Sequence, residues 1–224
     1  MLSSLLAASF VIAQKPESEI TQYKVGKGHE LKATTPVYRG SPVKELATVD
    51  TKLTALTRLA QFRKDFADLD LPEMRTGMVD WFVTRSIERD DLISLIGTAY
   101  YDFGGAHPNR DHVGLNYGLV NGKAKRLVFA DLLKDPKRAK EIADQAVMPK
   151  LIVLRAMWVT EGSINELEPK QVDNFVITPA GITWLFAPYE MGSYAEGDYF
   201  VKVPWSELDA DLKSSGPLRG LRGK

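Results

Sequence analysis

The sequence predicts an α+β domain with a mostly antiparallel sheet packed with two main helices. Strand-like segments follow one another from Met78 to Val120 and again from Asn174 to Val203, separated by turn-forming residues. Two amphipathic stretches are inserted between these runs and do not alternate with single strands, which argues against a parallel doubly wound sheet. The 224 residues are 44% hydrophobic and 26% charged, the balance of a globular domain long enough to bury a core without cross-links.

Taken in order, Gln14–Lys27 is polar and reads as a linker. His29–Tyr38 alternates and reads as a first strand, with Pro36 at an edge or bulge, and Gly40-Ser41-Pro42 turns the chain. Leu46, Val49, Leu53, Leu56, Ala60 and Phe66 recur at helical spacing, so the first helix is expected to lay this stripe on the sheet. Leu69–Arg75, with Pro72, breaks that helix. Met78–Ile87, Leu92–Phe103 and Val113–Val120 are three strands, the last closed by the hairpin dipeptide Asn121-Gly122. Leu127–Phe129 reads as a short strand. Asp135-Pro136 then caps a second helix, whose side Ile142, Ala146, Val153 and Met157 is expected to be apolar and whose course Pro149 should kink or split. Thr160–Asp173 is a polar loop with a helical turn. A meander of Asn174–Thr178, Ile182–Ala187 and Tyr199–Val203 follows, then a short helix from Trp205, and 213–224 is expected to be a flexible tail.

Composition narrows the function classes. Lys+Arg and Asp+Glu both number 29, so no basic excess points to nucleic acid. With no Cys, disulfides, thiol catalysis and thiolate metal sites are excluded together. Leu2–Ala13 is uncharged and apolar with small residues near its end, like the core and cleavage region of a secretory signal, although no basic residue precedes it. It is short for a membrane span, and no other stretch is long and apolar enough. Residues 1–13 are therefore expected to be a signal remnant and the mature chain to lie outside the cytoplasm.

Two loops stand out. Tyr100–Asn109 carries Gly104, Gly105, His107 and Pro108, and Phe186–Gly197 carries Pro188, Tyr189, Glu190 and Tyr194. Gly104 and Gly105 at a strand exit suit a bulge or a positive-φ turn, and Pro108 and Pro188 restrict the loops. Tyr189 and Tyr194 offer rigid area with a polar tip, and His107, Asn109 and Glu190 offer polar contacts. The two loops are expected to meet as one composite binding site, with Glu190 accepting from His107 or from a cationic partner. His107 with His112 and Asp102 or Asp111 is the only zinc-like set, at a spacing that matches no helical His pair, so no metal is assigned. Asp102, Glu161 and Glu190 are the candidate acid–base carboxylates, but no nucleophile–His–acid order accompanies them and Ser193 lacks a nucleophile elbow. No catalytic residue and no cofactor is assigned.

Four pieces of the chain carry a family resemblance. They are Tyr101-Asp102-Phe103-Gly104-Gly105-Ala106-His107-Pro108-Asn109 with Asn116-Tyr117; Leu127–Asp135; Phe175–Glu190 running on to Tyr194, Ala195 and Gly197; and Val203-Pro204 with Glu207-Leu208. In this order the chain resembles, over residues 28–212, the RsiV-type extracellular domain of lysozyme-sensing anti-sigma factors, a domain also found in PdaC-type peptidoglycan deacetylases. The resemblance implies an α+β domain outside the cytoplasm that binds a partner and has no established catalytic residues. No sigma-binding segment and no deacetylase domain is read here, and lysozyme contacts do not carry over residue by residue. The expected function is thus an exported, non-catalytic envelope domain that binds or senses a protein or a cell-wall glycan. The alternatives are a hydrolase of envelope polymers using carboxylates or a His-bound metal, and a structural envelope protein. A deep pocket with converging carboxylates or histidines would favour the hydrolase, and a shallow aromatic patch the binder.

Overall fold

The computed structural model describes residues 17–25, 29–68 and 77–221. The apolar run Leu2–Ala13, the break at Leu69–Arg75, the side chain of Phe66 and the last three residues lie outside the described residues. The elements are β1 (Glu17–Val25), β2 (His29–Val37), α1 (Pro42–Asp68), β3 (Met78–Glu88), β4 (Leu92–Asp102), β5 (Asn109–Val120), β6 (Lys123–Arg126), α2 (Phe129–Leu132), α3 (Ala139–Val153), α4 (Met157–Thr160), α5 (Pro169–Val172), β7 (Phe175–Thr178), β8 (Gly181–Phe186), β9 (Tyr199–Pro204) and α6 (Trp205–Leu208). The fold is α+β, as its strand order predicts.

Strands β1 to β6 form one sheet in sequence order, and β7 to β9 form a second. Every pair is antiparallel except β2–β3, which run parallel because α1 carries the chain between them. The β5–β6 turn uses Asn121 (φ 51°) and Gly122 (φ 76°), the double left-handed geometry that makes Asn-Gly a hairpin dipeptide.

Alternation along β4 and β5 divides the interior in two. Ile93, Leu95, Ala99, Leu115 and Tyr117 join Leu31, Val79 and Trp81 under α1. Leu92 belongs to the other cluster, which holds Phe175, Trp184, Phe186, Val201 and the inner face of α3. Each large side chain so buried contributes about 1.5–3 kcal/mol. The small sheet is fixed to the large one by polar side chains. Ser94 Oγ donates to Asn116 Oδ1 (2.7 Å), Asn116 Nδ2 donates to the Phe175 carbonyl (2.7 Å), and Ile177 N donates to Ser94 Oγ (2.8 Å). Asn174 adds a clamp, accepting from Gly114 N (2.9 Å) and donating to the carbonyls of His112 (3.2 Å) and Leu185 (2.8 Å). The approach is so close that a Cβ on Gly114 would stand 1.9 Å from the Phe175 oxygen.

Several elements differ from expectation. Residues 17–25 of the expected linker form β1, whose Glu17 and Glu19 pair with Arg39 and Lys52. The face of α1 against the sheet is Val43, Ala47, Thr51, Ala55, Leu59 and Phe62, while Val49 and Leu53 of the expected stripe are 65% and 60% exposed. Small residues are needed there because the sheet presents Tyr117, whose hydroxyl meets Thr51 Oγ1 (3.1 Å) and Asp50 Oδ2 (2.9 Å). The third strand begins at Asn109, four residues before the expected Val113. The expected strand Leu127–Phe129 is instead the entry to α2: Asp131 accepts from Val128 N (3.0 Å) and Asp173 from Phe129 N (2.8 Å), a side-chain capping that turns the chain into a helix. Asp135 does cap the next turn, accepting from Lys137 N (3.0 Å). Helix α3 continues through Pro149, which is exposed, and buries Ile142, Ala143, Val147 and Leu151, while Val153 is exposed. Met157 belongs to α4. In the expected tail, Pro217 and Leu218 are buried and the Arg219 carbonyl accepts from Arg89 (2.9 Å).

Candidate functional site

The loop leaving β4 and the loop leaving β8 meet at one end of the two sheets. Their junction is aromatic. The rings of His107 and Tyr194 stack with centroids 3.6 Å apart, and Tyr189 lies 5.9 Å from Tyr194 and 6.5 Å from His107. Tyr194 Oη donates to the Pro108 carbonyl (2.8 Å), and Tyr189 Oη lies 3.4 Å from His107 Nε2. His107 and Tyr189 are exposed, Tyr189 by 49%, and Tyr194 is half-buried. The result is a shallow shelf. Tyr189 is held at φ 68°, a left-handed backbone that an L residue with a large side chain rarely adopts.

Two sets of contacts hold the second loop. The first centres on Glu196, which accepts from Met157 N (2.9 Å), Ser193 N (2.6 Å), Ser193 Oγ (2.9 Å) and Tyr199 Oη (2.6 Å). Those donors, Tyr199 first, hold its carboxyl down at about 2. A Cβ on Gly192 would stand 2.5 Å from the carboxylate oxygens, so any side chain there has to displace the Glu196 carboxylate. The second is Asp198, which accepts from Arg110 Nε (2.7 and 2.8 Å) and lies 3.3 Å from His112 Nε2 without a hydrogen-bond alignment. His112 meets Thr98 Oγ1 through Nδ1 (3.1 Å), and burial holds its pKa below the ordinary imidazole value despite Asp198.

Beyond the shelf, a cleft of about 390 Å³ opens between β5, α5 and residues 187–190. Arg58, Arg126 and Lys170 line it together with Asp111, His112, Asp173, Pro188 and Glu190. Glu190 Oε2 accepts from Ala187 N (2.6 Å), and burial raises its pKa above the usual carboxylate range.

Of the residues singled out in the sequence, His107, Tyr189 and Tyr194 come together. Asn109 does not join them: its Oδ1 accepts from Arg110 N (2.8 Å). Glu190 bonds Ala187 N and not His107, and it faces the cleft. Gly104 has φ 73°, a conformation that calls for glycine, and its N–H is held by Asp102 Oδ1 (2.7 Å). Gly105 is outside the left-handed region and has open space where a Cβ would sit, so it carries no such requirement. Pro108 receives Tyr194 through its carbonyl and Pro188 is buried. His107 and His112 do not converge, and among the described residues no three His, Asp or Glu side chains gather as a metal-binding group. Arg58, Lys170 and Glu196 were not legible as site residues, because each resembles any solvated charge until the fold brings its partners.

Residues 126–206 match the family model described as Protein of unknown function (DUF3298). No curated protein matches the chain. Among solved structures, a DUF3298 family member from Bacteroides fragilis is similar at TM-score 0.61 and 16% identity, over 93% of this chain and 99% of that one. A DUF3298 family protein from Pseudomonas aeruginosa is similar at TM-score 0.57 and 15% identity, over 89% of this chain and 93% of that one. No described helix is long and apolar enough to cross a membrane. The chain therefore carries a DUF3298 match over β7 to β9 and the helices before them, within a fold it shares with DUF3298 proteins along nearly its whole length.

Proposed function

We propose that this protein is an exported, non-catalytic domain of the RsiV-like kind that binds or senses a protein or a cell-wall glycan in the cell envelope. The observation that carries the reading is the exposed shelf of His107, Tyr189 and Tyr194. Flat aromatic faces with polar tips give contact area with few side-chain torsions to freeze. The shelf is fixed before any partner arrives, since Tyr194 is tied to Pro108 and the loop is tied to Glu196, so little ordering cost is left for binding. The export part of the reading is supported by the signal-like run Leu2–Ala13.

The test uses the purified domain, envelope extract and insoluble peptidoglycan. Tyr189→Ala combined with His107→Ala is expected to lower capture or co-sedimentation by at least tenfold, the effect of losing a hot spot of about 2 kcal/mol. The melting temperature should stay near wild type, because both side chains are exposed. Equal retention by wild type and the double variant would overturn the shelf as the binding surface.

A further inference from the structure

The cleft beside the shelf holds opposed charges whose hydrogen-bonding capacity is largely unused within the protein. Arg58, from α1, reaches only to 3.9 Å of Asp111 Oδ2, beyond hydrogen-bond distance. Asp111 in turn accepts a single long bond from Tyr101 Oη (3.4 Å). Arg126 bonds Asp50 (3.1 Å) and Thr54 (3.3 Å) through Nη1 alone, which leaves its other guanidinium nitrogens for a ligand. Glu190, which also lines the cleft, uses one carboxyl oxygen on Ala187 N. His112, whose side chain is 6% exposed, turns Nε2 toward Asp198 Oδ1 at 3.3 Å, and the residue lines the cleft.

We propose that this cleft is a second binding subsite, one that takes the carboxyl end of a short peptide. Its carboxylate would lie across Arg58 and Arg126, and its N–H groups would be accepted by Asp111 and Glu190. Guanidinium groups recognise a carboxylate by paired N–H donors, and two from separate elements define both its position and its plane. The carboxylates set among the cations argue against a bare anion. A phosphate or sulfate drawn to the arginines would meet Asp111, 3.9 Å from Arg58, with no donor to offer it, whereas a peptide terminus carries donor groups beside its carboxylate. A simple cation meets the reverse objection. The subsite and the shelf share residues 187–190 and the approach of His112 to Asp198, but none of the shelf rings lines the cleft, so the two are tested separately.

The experiment follows the His112 ring signals by NMR while glycylglycine, its C-terminal amide or inorganic phosphate is added to the intact protein. Glycylglycine is expected to shift these signals saturably in the millimolar range. The amide, and Arg58→Ala with the free dipeptide, should each weaken binding by about tenfold, the equivalent of one charge-assisted hydrogen bond. His107→Ala, on the shelf but outside the cleft lining, should leave the dipeptide titration unchanged, which separates this subsite from the shelf. The proposal is overturned if the dipeptide gives no saturable shift, if the amide binds as well as the acid, or if phosphate binds more tightly than the dipeptide.

Discussion

Glu196 concentrates more hydrogen bonds on one carboxylate than any other acidic side chain near the shelf. It collects Met157 from α4, Ser193 from its own loop and Tyr199 from β9. A carboxyl held at about 2 when folded binds fewer protons than the unfolded chain, whose value is about 4.3. Its stabilisation is therefore complete above that unfolded value and is lost as the pH falls through 2. His112, held low by burial, adds a separate loss that begins near the ordinary imidazole value of about 6.5. Urea unfolding from pH 7 downward should show the acid loss in wild type, and Glu196→Gln should flatten it below about pH 4.3 while leaving the histidine step in place. Parallel pH curves for the two proteins would refute the assignment. His107 and the tyrosines were legible in the sequence because aromatics among Gly and Pro at a strand exit are unusual. Glu196 was not, since its role rests on donors from three places in the chain.

At the scale of elements, α1 shows where sequence periodicity misleads. The helix itself was legible, but its face was not. Leu46, Val49 and Leu53 form one hydrophobic side, yet Val43, Ala47, Thr51, Ala55 and Leu59 are the fully buried ones, with the small residues at the centre. A helix seated close to a sheet needs small residues where the backbones approach, and hydrophobicity does not encode that distance. The expected outcome is the reverse of a polarity argument. Ala55→Leu should destabilise by about 1–3 kcal/mol through overpacking. Val49→Lys with Leu53→Lys should change stability by no more than about 0.5 kcal/mol per site, as at other exposed positions. Denaturant midpoints at constant slope measure both, and a harmless Ala55→Leu would contradict the packing described. The β-strands were more legible than either helix face, because a period of two leaves little choice of register once one face is apolar.

For the whole molecule, the question is how a three-stranded sheet stays attached to a six-stranded one. Ser94 and Asn116 answer it from inside, with Gly114 allowing the contact. Asn116→Ala would leave the Phe175 carbonyl without its donor in a buried junction, at a cost of about 1–3 kcal/mol. Trp81 reports one hydrophobic cluster and Trp184 the other. Wild-type unfolding followed by near- and far-UV circular dichroism should give coincident transitions, and Asn116→Ala should shift them together to lower denaturant. If the variant unfolds at the wild-type midpoint, the junction is not what joins the sheets. This junction was not foreseen, because an Asn and a Ser inside strands look like ordinary interruptions of an apolar pattern. It also bears on which substitutions the joint tolerates. What Asn116 and Ser94 grip on β7 is a carbonyl and an amide of the main chain, groups that every residue except proline supplies. The mounting itself therefore sets no terms on which side chains β7 carries, beyond keeping proline from position 177, whose amide it needs.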